Sequence, residues 1–370
     1  MIDNNSPTGP RLRHLWSPIW LGIFASLLLV QCKSTAPTTV PGQLQSIDLG
    51  LADEFVDLYE CGGHLIVDAV GTLIAVDPER YAVTWQRDVP SMHRVIGTGA
   101  HLYHAKDARH LEALDPADGE IAWEWSGYFP QNAQSVFAER QCWIAQDHKI
   151  TRLGTRNGEV TGTFDFARGE DEREYFIGIG RNEHTLRSFT RGGKDSLACY
   201  RWGKVTPIWA QALPQSPVGL TGFTQLENGT VGYADPSARR YILRDGADGR
   251  IRQETAYGGP FLPQLLSAEQ LLYISPEGQL SSYNPRTEVI DWTTPLRAAL
   301  RFPPQVSEKY ILAVISPETV AVISRKSGAV LERIKFPVDI NSAPIYLAQR
   351  VHVLGKNGVL CAKTVRSTAK

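Results

Sequence analysis

An all-β fold assembled from eight similar units is predicted by three observations. Short stretches alternate apolar and polar residues with period two, Asp/Asn, Pro and Gly turns separate them, and the combined pattern recurs at a mean interval of about 41 residues. Composition agrees: 32 Gly, 23 Pro and 9 Trp against 2 Met favour strands and turns over helices. With 370 residues, 42% of them apolar and 9% aromatic, the chain can fill a large β core.

The best-preserved unit is HLYHAKDARHLEALDPADGEIAWEW, residues 101–125. A first strand is expected at 101–105 and a second at 110–114, which stops at Asp115-Pro116-Ala117-Asp118-Gly119. A third, at 120–125, is expected to place Ile121, Trp123 and Trp125 on one face and Glu120, Ala122 and Glu124 on the other. One such meander cannot bury its apolar face alone, so the recurrence decides the fold.

Upstream, GTLIAVDPERYAVTW (71–85) puts Asp77 and Trp85 in the columns of Asp115 and Trp123. Downstream, GQLSSYNPRTEVIDW (278–292) supplies Asn284 and Trp292. Weaker copies surround these, with Gly162, Gln253 and Glu332 in the Trp column and an irregular fourth unit whose Trp209 reads as displaced. The turn column falls at residues 77, 115, 154, about 200, 245, 284, 324 and 363. Units of this length made of short strands match the four-stranded blade of a β-propeller, and no amphipathic stretch supports a helical solenoid. The last unit has only three strands, whereas residues 44–49 form an unassigned strand before the first. Pairing the two would close an eight-bladed ring and hide two edges. Seven blades with an insertion in 165–235 is the alternative.

The N-terminus is expected to be an address. Arg11 and Arg13 precede an uncharged stretch at 15–30, which suits the apolar region of a signal peptide. It ends in Leu29-Val30-Gln31-Cys32, which resembles the bacterial lipobox; Gln31 stands where that motif prefers a small residue. The resemblance implies a diacylated Cys32, the alternative being an uncleaved signal anchor. The expected division is therefore a signal peptide at 1–32, a Ser/Thr/Pro-rich tether at 33–44, a propeller at 45–366 and a tail at 367–370.

The D-P-x-x-G-x-x-x-W form, read as Asp115, Gly119 and Trp123 and partly as Asp77 with Trp85 and Asn284 with Trp292, resembles the tryptophan-docking motif of PQQ-type propellers. Eight such blades behind a lipoprotein leader resemble the BamB family of outer-membrane assembly lipoproteins. The resemblance implies a non-catalytic scaffold on the periplasmic side, lipid-anchored in the outer membrane. Its partners would be the β-barrel assembly complex and unfolded barrel clients. The rival expectations are a PQQ- or metal-binding quinoprotein-like enzyme and a propeller binding another envelope ligand.

Chemistry-bearing motifs are sparse. There is no vicinal Cys pair, CxxCH, HExxH, GxSxG or phosphate-cradling glycine pattern, so no catalytic residue, metal ligand or cofactor is expected. Net charge is −1, from 38 basic and 39 acidic residues, without the basic excess of a nucleic-acid binder. His93, His101, His104 and His110 cluster in the second unit, with Asp107 between two of them, and are read as half-exposed strand and turn residues. Cys61, Cys142, Cys199 and Cys361 allow three pairings, but Cys199 and Cys361 are read as buried small hydrophobes. The one charge run, ARGEDEREY at 167–175, interrupts the repeat. Arg168, Glu170, Asp171, Glu172 and Arg173 are the candidate partner contacts, because propellers bind through loops on a rigid ring.

Overall fold

The computed structural model describes residues 44–366 apart from 52–54, 91–93, 129–134, 138–140, 147–148, 167–172, 180–183, 214–219, 227–228, 236, 257–260, 268 and 276. Its regular elements are strands, arranged as eight four-stranded antiparallel sheets. Blades 1 to 7 span 55–88, 94–126, 135–165, 173–212, 221–256, 264–295 and 305–335, with the strands of each blade paired in chain order. Blade 8 takes three strands from 345–364 and its fourth, Gln45–Asp48, from the other end of the chain. That strand pairs antiparallel with Val359–Thr364, Gln45 opposite Ala362 and Asp48 opposite Val359. The ring is therefore eight-bladed and closed by an N-terminal strand, and the seven-bladed alternative falls away.

First strands of neighbouring blades touch, as Phe55–Cys61 does with both Arg94–Thr98 and Ile345–Leu347. These strands surround the axis, and the fourth strands form the rim. The apolar core is correspondingly a ring of clusters, one at each blade junction. Leu65, Val67 and Ala69 pack with Leu354 and Leu360 between blades 1 and 8, while Ile66 packs with Leu102 and Leu114 between blades 1 and 2.

Strands in the middle of a blade are thus buried on both faces, which erases the simple alternation expected of a half-exposed strand. Leu102, Tyr103, His104 and Ala105 are all buried, so the expected apolar–polar alternation of that strand does not correspond to inside and outside. Alternation survives on the rim, where Trp85 is the single buried residue of Ala82–Asp88.

A bulge recurs where the third strand meets the fourth. The register shifts between Ala75 and Val76, Ala113 and Leu114, Arg152 and Leu153, Leu243 and Arg244, Ser282 and Tyr283, and Val322 and Ile323. The extra residue turns the strand's first position away from the Trp face. Ile121 is consequently 37% exposed rather than sharing the buried face of Trp123.

Candidate functional site

The turns at the third-to-fourth-strand connection are built by side-chain capping. Oδ1 of Asp77 accepts from the amides of Glu79 and Arg80 at 2.8 and 2.9 Å, that of Asp115 from Ala117 at 2.8 Å, and that of Asn284 from Arg286 at 2.9 Å. In Asp245 the Ala247 amide, followed by Arg252, holds the carboxyl below its ordinary range.

Each tryptophan of the column reaches across to the next blade. Trp85 lies on Gly119, Trp123 on Gly158, Trp209 on Gly249 and Trp292 on Gly328. The indole Nε1–H groups of Trp85, Trp123 and Trp209 donate to the carbonyls of Pro116, Thr155 and Gly246 at 2.8, 2.8 and 3.1 Å. A second fastener follows two residues later in the chain. Arg87 and Gln211 donate to the carbonyls of Gly119 and Gly249 at 3.1 and 3.0 Å, and the Thr294 hydroxyl donates to that of Gly328. Trp209 pairs with Cys199 as Trp85 does with Ala75, so it sits in its column, undisplaced, with Arg201 at the turn position.

Where the column lacks tryptophan, the facing turn lacks the glycine. Tyr81 follows Ser46, Val205 follows Gly162, and Glu288 follows Gln253. Tyr81 and Glu288 hold φ of 55° and 59° without being glycine. At Gly162 the missing ring is supplied in reverse: Trp202 of blade 4 turns back over it, 5.9 Å from the Phe164 ring and beneath the Arg152 guanidinium at 5.5 Å. These contacts make Asp77, Trp85, Asp115, Gly119, Trp123, Asn284 and Trp292 parts of the frame.

Arg168, Glu170, Asp171 and Glu172 lie outside the described residues, as does Cys32; Arg173 opens the first strand of blade 4, Arg173–Ile179. His93 also lies outside, His110 is exposed and bonded to Asp107 at 2.7 Å, and His101 is half-buried. His104 departs from the half-exposed expectation: it is fully buried, with Nδ1 3.4 Å from Oε2 of Glu112. Glu112, only 3% exposed, also has Lys106 Nζ at 3.2 Å and Arg87 Nη2 at 3.6 Å. A carboxylate so buried requires such company, and three basic side chains from two blades provide it. In the sequence nothing separates Glu112 from an ordinary strand glutamate, because Arg87 arrives from another blade.

No group of three or more His, Cys, Asp or Glu able to hold a metal ion occurs among the described residues. Cys61, Cys142, Cys199 and Cys361 are buried free thiols. Cys61 belongs to the cluster between blades 1 and 2, and Cys361 to that between blades 7 and 8. Along the axis, Asp57, Tyr59, Phe302 and Tyr346 line a pocket of about 680 Å³ between blades 1, 2, 7 and 8. Burial raises the Asp57 carboxyl, whereas the Leu58 amide and the Tyr59 hydroxyl lower it.

The family model described as outer membrane protein assembly factor BamB matches residues 58–255, which is blades 1 to 5. Among solved structures, the crystal structure of BamB from Moraxella catarrhalis is 14% identical, with a TM-score of 0.56 over 88% of this chain and 100% of that one. The computationally designed Ika8 protein is 11% identical, with a TM-score of 0.60 over 86% and 98%. Dihydro-heme d1 dehydrogenase NirN is also 11% identical, with a TM-score of 0.56 over 83% and 72%. At such identities these likenesses show the fold alone. No curated protein matches the chain. The family match spans more than half of the chain and runs through the blades whose turns and tryptophans interlock as described, so the chain belongs to the family of the outer membrane protein assembly factor BamB.

Proposed function

We propose that this propeller is a non-catalytic scaffold of the cell envelope, a subunit of the machinery that assembles β-barrel proteins in the outer membrane. It works on the periplasmic side, anchored by lipid on Cys32, and binds the insertase, unfolded barrel clients or both. The family match over residues 58–255 carries this reading. The rim supports it physically: fourth strands such as Ile121–Ser126 and Val160–Asp165 pair on one side only. An extended client strand can add to such an edge through main-chain hydrogen bonds.

Affinity purification of the full chain from solubilised membranes tests the reading. Barrel-assembly subunits are expected to co-elute, and a preparation without any of them would overturn it. The charged stretch at 167–175 is the proposed contact region, so charge reversal at Glu170, Asp171 and Glu172 should weaken co-elution without changing thermal stability. Mass spectrometry of the mature N-terminus tests the anchor: a diacylated Cys32 is expected, and Cys32→Ser should release the protein from membranes.

NirN is a dehydrogenase on the same fold, and the axial pocket of about 680 Å³ has room for a ligand. An enzymatic reading therefore predicts dye reduction and a thermal shift when PQQ and calcium are added, whereas the scaffold reading predicts neither.

A further inference from the structure

We propose that the cleft between blades 4 and 5, on the side of the third-to-fourth-strand turns, is a binding site for a phosphate group. The cleft has a volume of about 510 Å³ and is lined by Arg201, Lys204 and Thr206 of blade 4 and by Asp245, Gly246 and Arg252 of blade 5. The inference stands independently of the scaffold reading.

The site arises where the repeat breaks. Arg201 occupies the turn position that Asp77 and Asp115 hold in blades 1 and 2, so blade 4 has no carboxylate to cap its turn. The chain instead closes a tight turn in which the Lys204 amide donates to the Arg201 carbonyl at 3.0 Å, with Gly203 at a φ of 73°. Trp202, between the two cations, is drawn away to blade 3 by Gly162 and Arg152. A position that is acidic in blades 1, 2 and 5 is therefore basic here, and the neighbouring Trp202 ring packs towards blade 3 instead.

The charges are not neutralised internally. Asp245 is the one carboxylate among the described residues of the lining, and it is engaged by Arg252 through both Nε, at 3.2 Å, and Nη2. Its Oδ1 is also occupied, by the Ala247 amide at 2.8 Å. The Arg201 guanidinium, the Lys204 ammonium and the Thr206 hydroxyl have no side-chain partner among the described residues, and all three residues are exposed. Two unpaired cations facing one cleft repel each other, and an oxyanion between them reverses the sign of that interaction. A planar guanidinium, a mobile ammonium and a hydroxyl, set in different directions, suit the tetrahedrally disposed oxygens of a phosphate better than the two coplanar oxygens of a carboxylate. Among the described residues that line the cleft there is no Trp, Tyr or Phe, and the one ring, His184, is hydrogen-bonded through Nδ1 to the Gln225 side chain at 2.7 Å. The volume of the cleft leaves room for a substituent on the phosphate, which can come from a soluble phosphate ester or a phospholipid headgroup.

Calorimetric titration of the purified full-length protein with inorganic phosphate, and separately with a monomeric short-chain phosphatidylglycerol, tests the site in chloride buffer of about 0.15 M. Binding is expected, and the double variant Arg201→Ala/Lys204→Ala should weaken it about tenfold or more, as loss of charge-assisted hydrogen bonds does. Lys326→Ala, on the exposed turn of blade 7, should leave it unchanged. If phosphatidylglycerol alone binds, with the same response to the variants, the source is a lipid headgroup; if inorganic phosphate also binds, the source is soluble. The proposal is overturned if neither probe binds, if the double variant binds like the parent, or if Lys326→Ala weakens binding equally. Circular dichroism of the variants, both at exposed residues, checks that the fold is retained.

Discussion

The indole of Trp85 lies against Gly119 of the next blade and donates its Nε1–H to the Pro116 carbonyl at 2.8 Å. A Cβ on Gly119 would meet ring carbon Cδ2 at 2.7 Å, and the residue holds a φ of 75°. Gly119→Ala should therefore combine left-handed backbone strain of about 1–2 kcal/mol with overpacking of about 1–3 kcal/mol. Gly50, at a φ of 66° with nothing within 4 Å of its would-be Cβ, carries the backbone part alone. Urea denaturation should show a clearly larger loss for Gly119→Ala than for Gly50→Ala. Equal losses would mean that the Trp85 contact does not constrain the junction.

The match between tryptophan in one blade and glycine in the next predicts a coupled pair. Gln253 stands in the Trp column of blade 5, and Glu288 stands at the glycine position of blade 6 with a φ of 59°. Gln253→Trp alone should destabilise, because Glu288 stands where the tryptophan-bearing junctions present a glycine, as Gly119 does to Trp85. Adding Glu288→Gly should recover about 1 kcal/mol or more beyond the sum of the single changes. A double-mutant cycle by denaturant unfolding measures this term, and strict additivity would refute the coupling.

Much of the ring was legible because its turns use few chemical solutions. Asp77, Asp115 and Asn284 announce side-chain-capped turns, and Trp85, Trp123 and Trp292 recur at a fixed distance from them. What the sequence concealed comes from packing between blades. Ile121 reads as a partner of Trp123 until the bulge beside Leu114 is known. His104 and Glu112 read as polar strand residues, because burial on a second face is set by a neighbouring blade. The basic cleft was likewise hidden: Arg201 and Lys204 belong to a unit whose divergence was visible, but Arg252, which occupies Asp245, comes from another blade.

Burial should make the propeller's thiols inert. It pushes Cys61 and Cys361 up to about 11 and Cys199 up to about 12, and it raises Cys142 as well. At pH 8 a thiol of pKa 11 is ionised in about one molecule in a thousand. Iodoacetamide should leave Cys61, Cys142, Cys199 and Cys361 unmodified in the native protein and alkylate all four in denaturant, as read by peptide mass spectrometry. Rapid native alkylation at any of them would contradict the burial described.

His352 should make the fold acid-sensitive. Burial, opposed by the hydrogen bond from Nε2–H to the Leu347 carbonyl at 3.1 Å and aided by the Arg350 charge, lowers its pKa from 6.5 to about 4. The native protein therefore binds this proton less readily than the unfolded chain does. The associated stability is complete above pH 6.5 and declines as pH falls towards 4, at about 1.4 kcal/mol per pH unit and about 3 kcal/mol in all. His352→Gln, which cannot titrate, should flatten that part of the urea-midpoint profile. Parallel profiles for parent and variant over this window would sink the assignment.

The pairing of Gln45–Asp48 with Val359–Thr364 also sets a timetable. Gln45 is among the first residues of the ring to be synthesised, and Ala362, its partner, is among the last. Until the final strand arrives, blade 8 has no third strand to receive the fourth, and the early strand waits with an open edge. Closure of so long a loop is slow relative to pairing within a blade. Seven blades can therefore form in succession while the ring stays a horseshoe, and the clasp shuts as a single late event. A chain truncated before Val359 would remain open at both ends, free to pair with a second copy instead of itself.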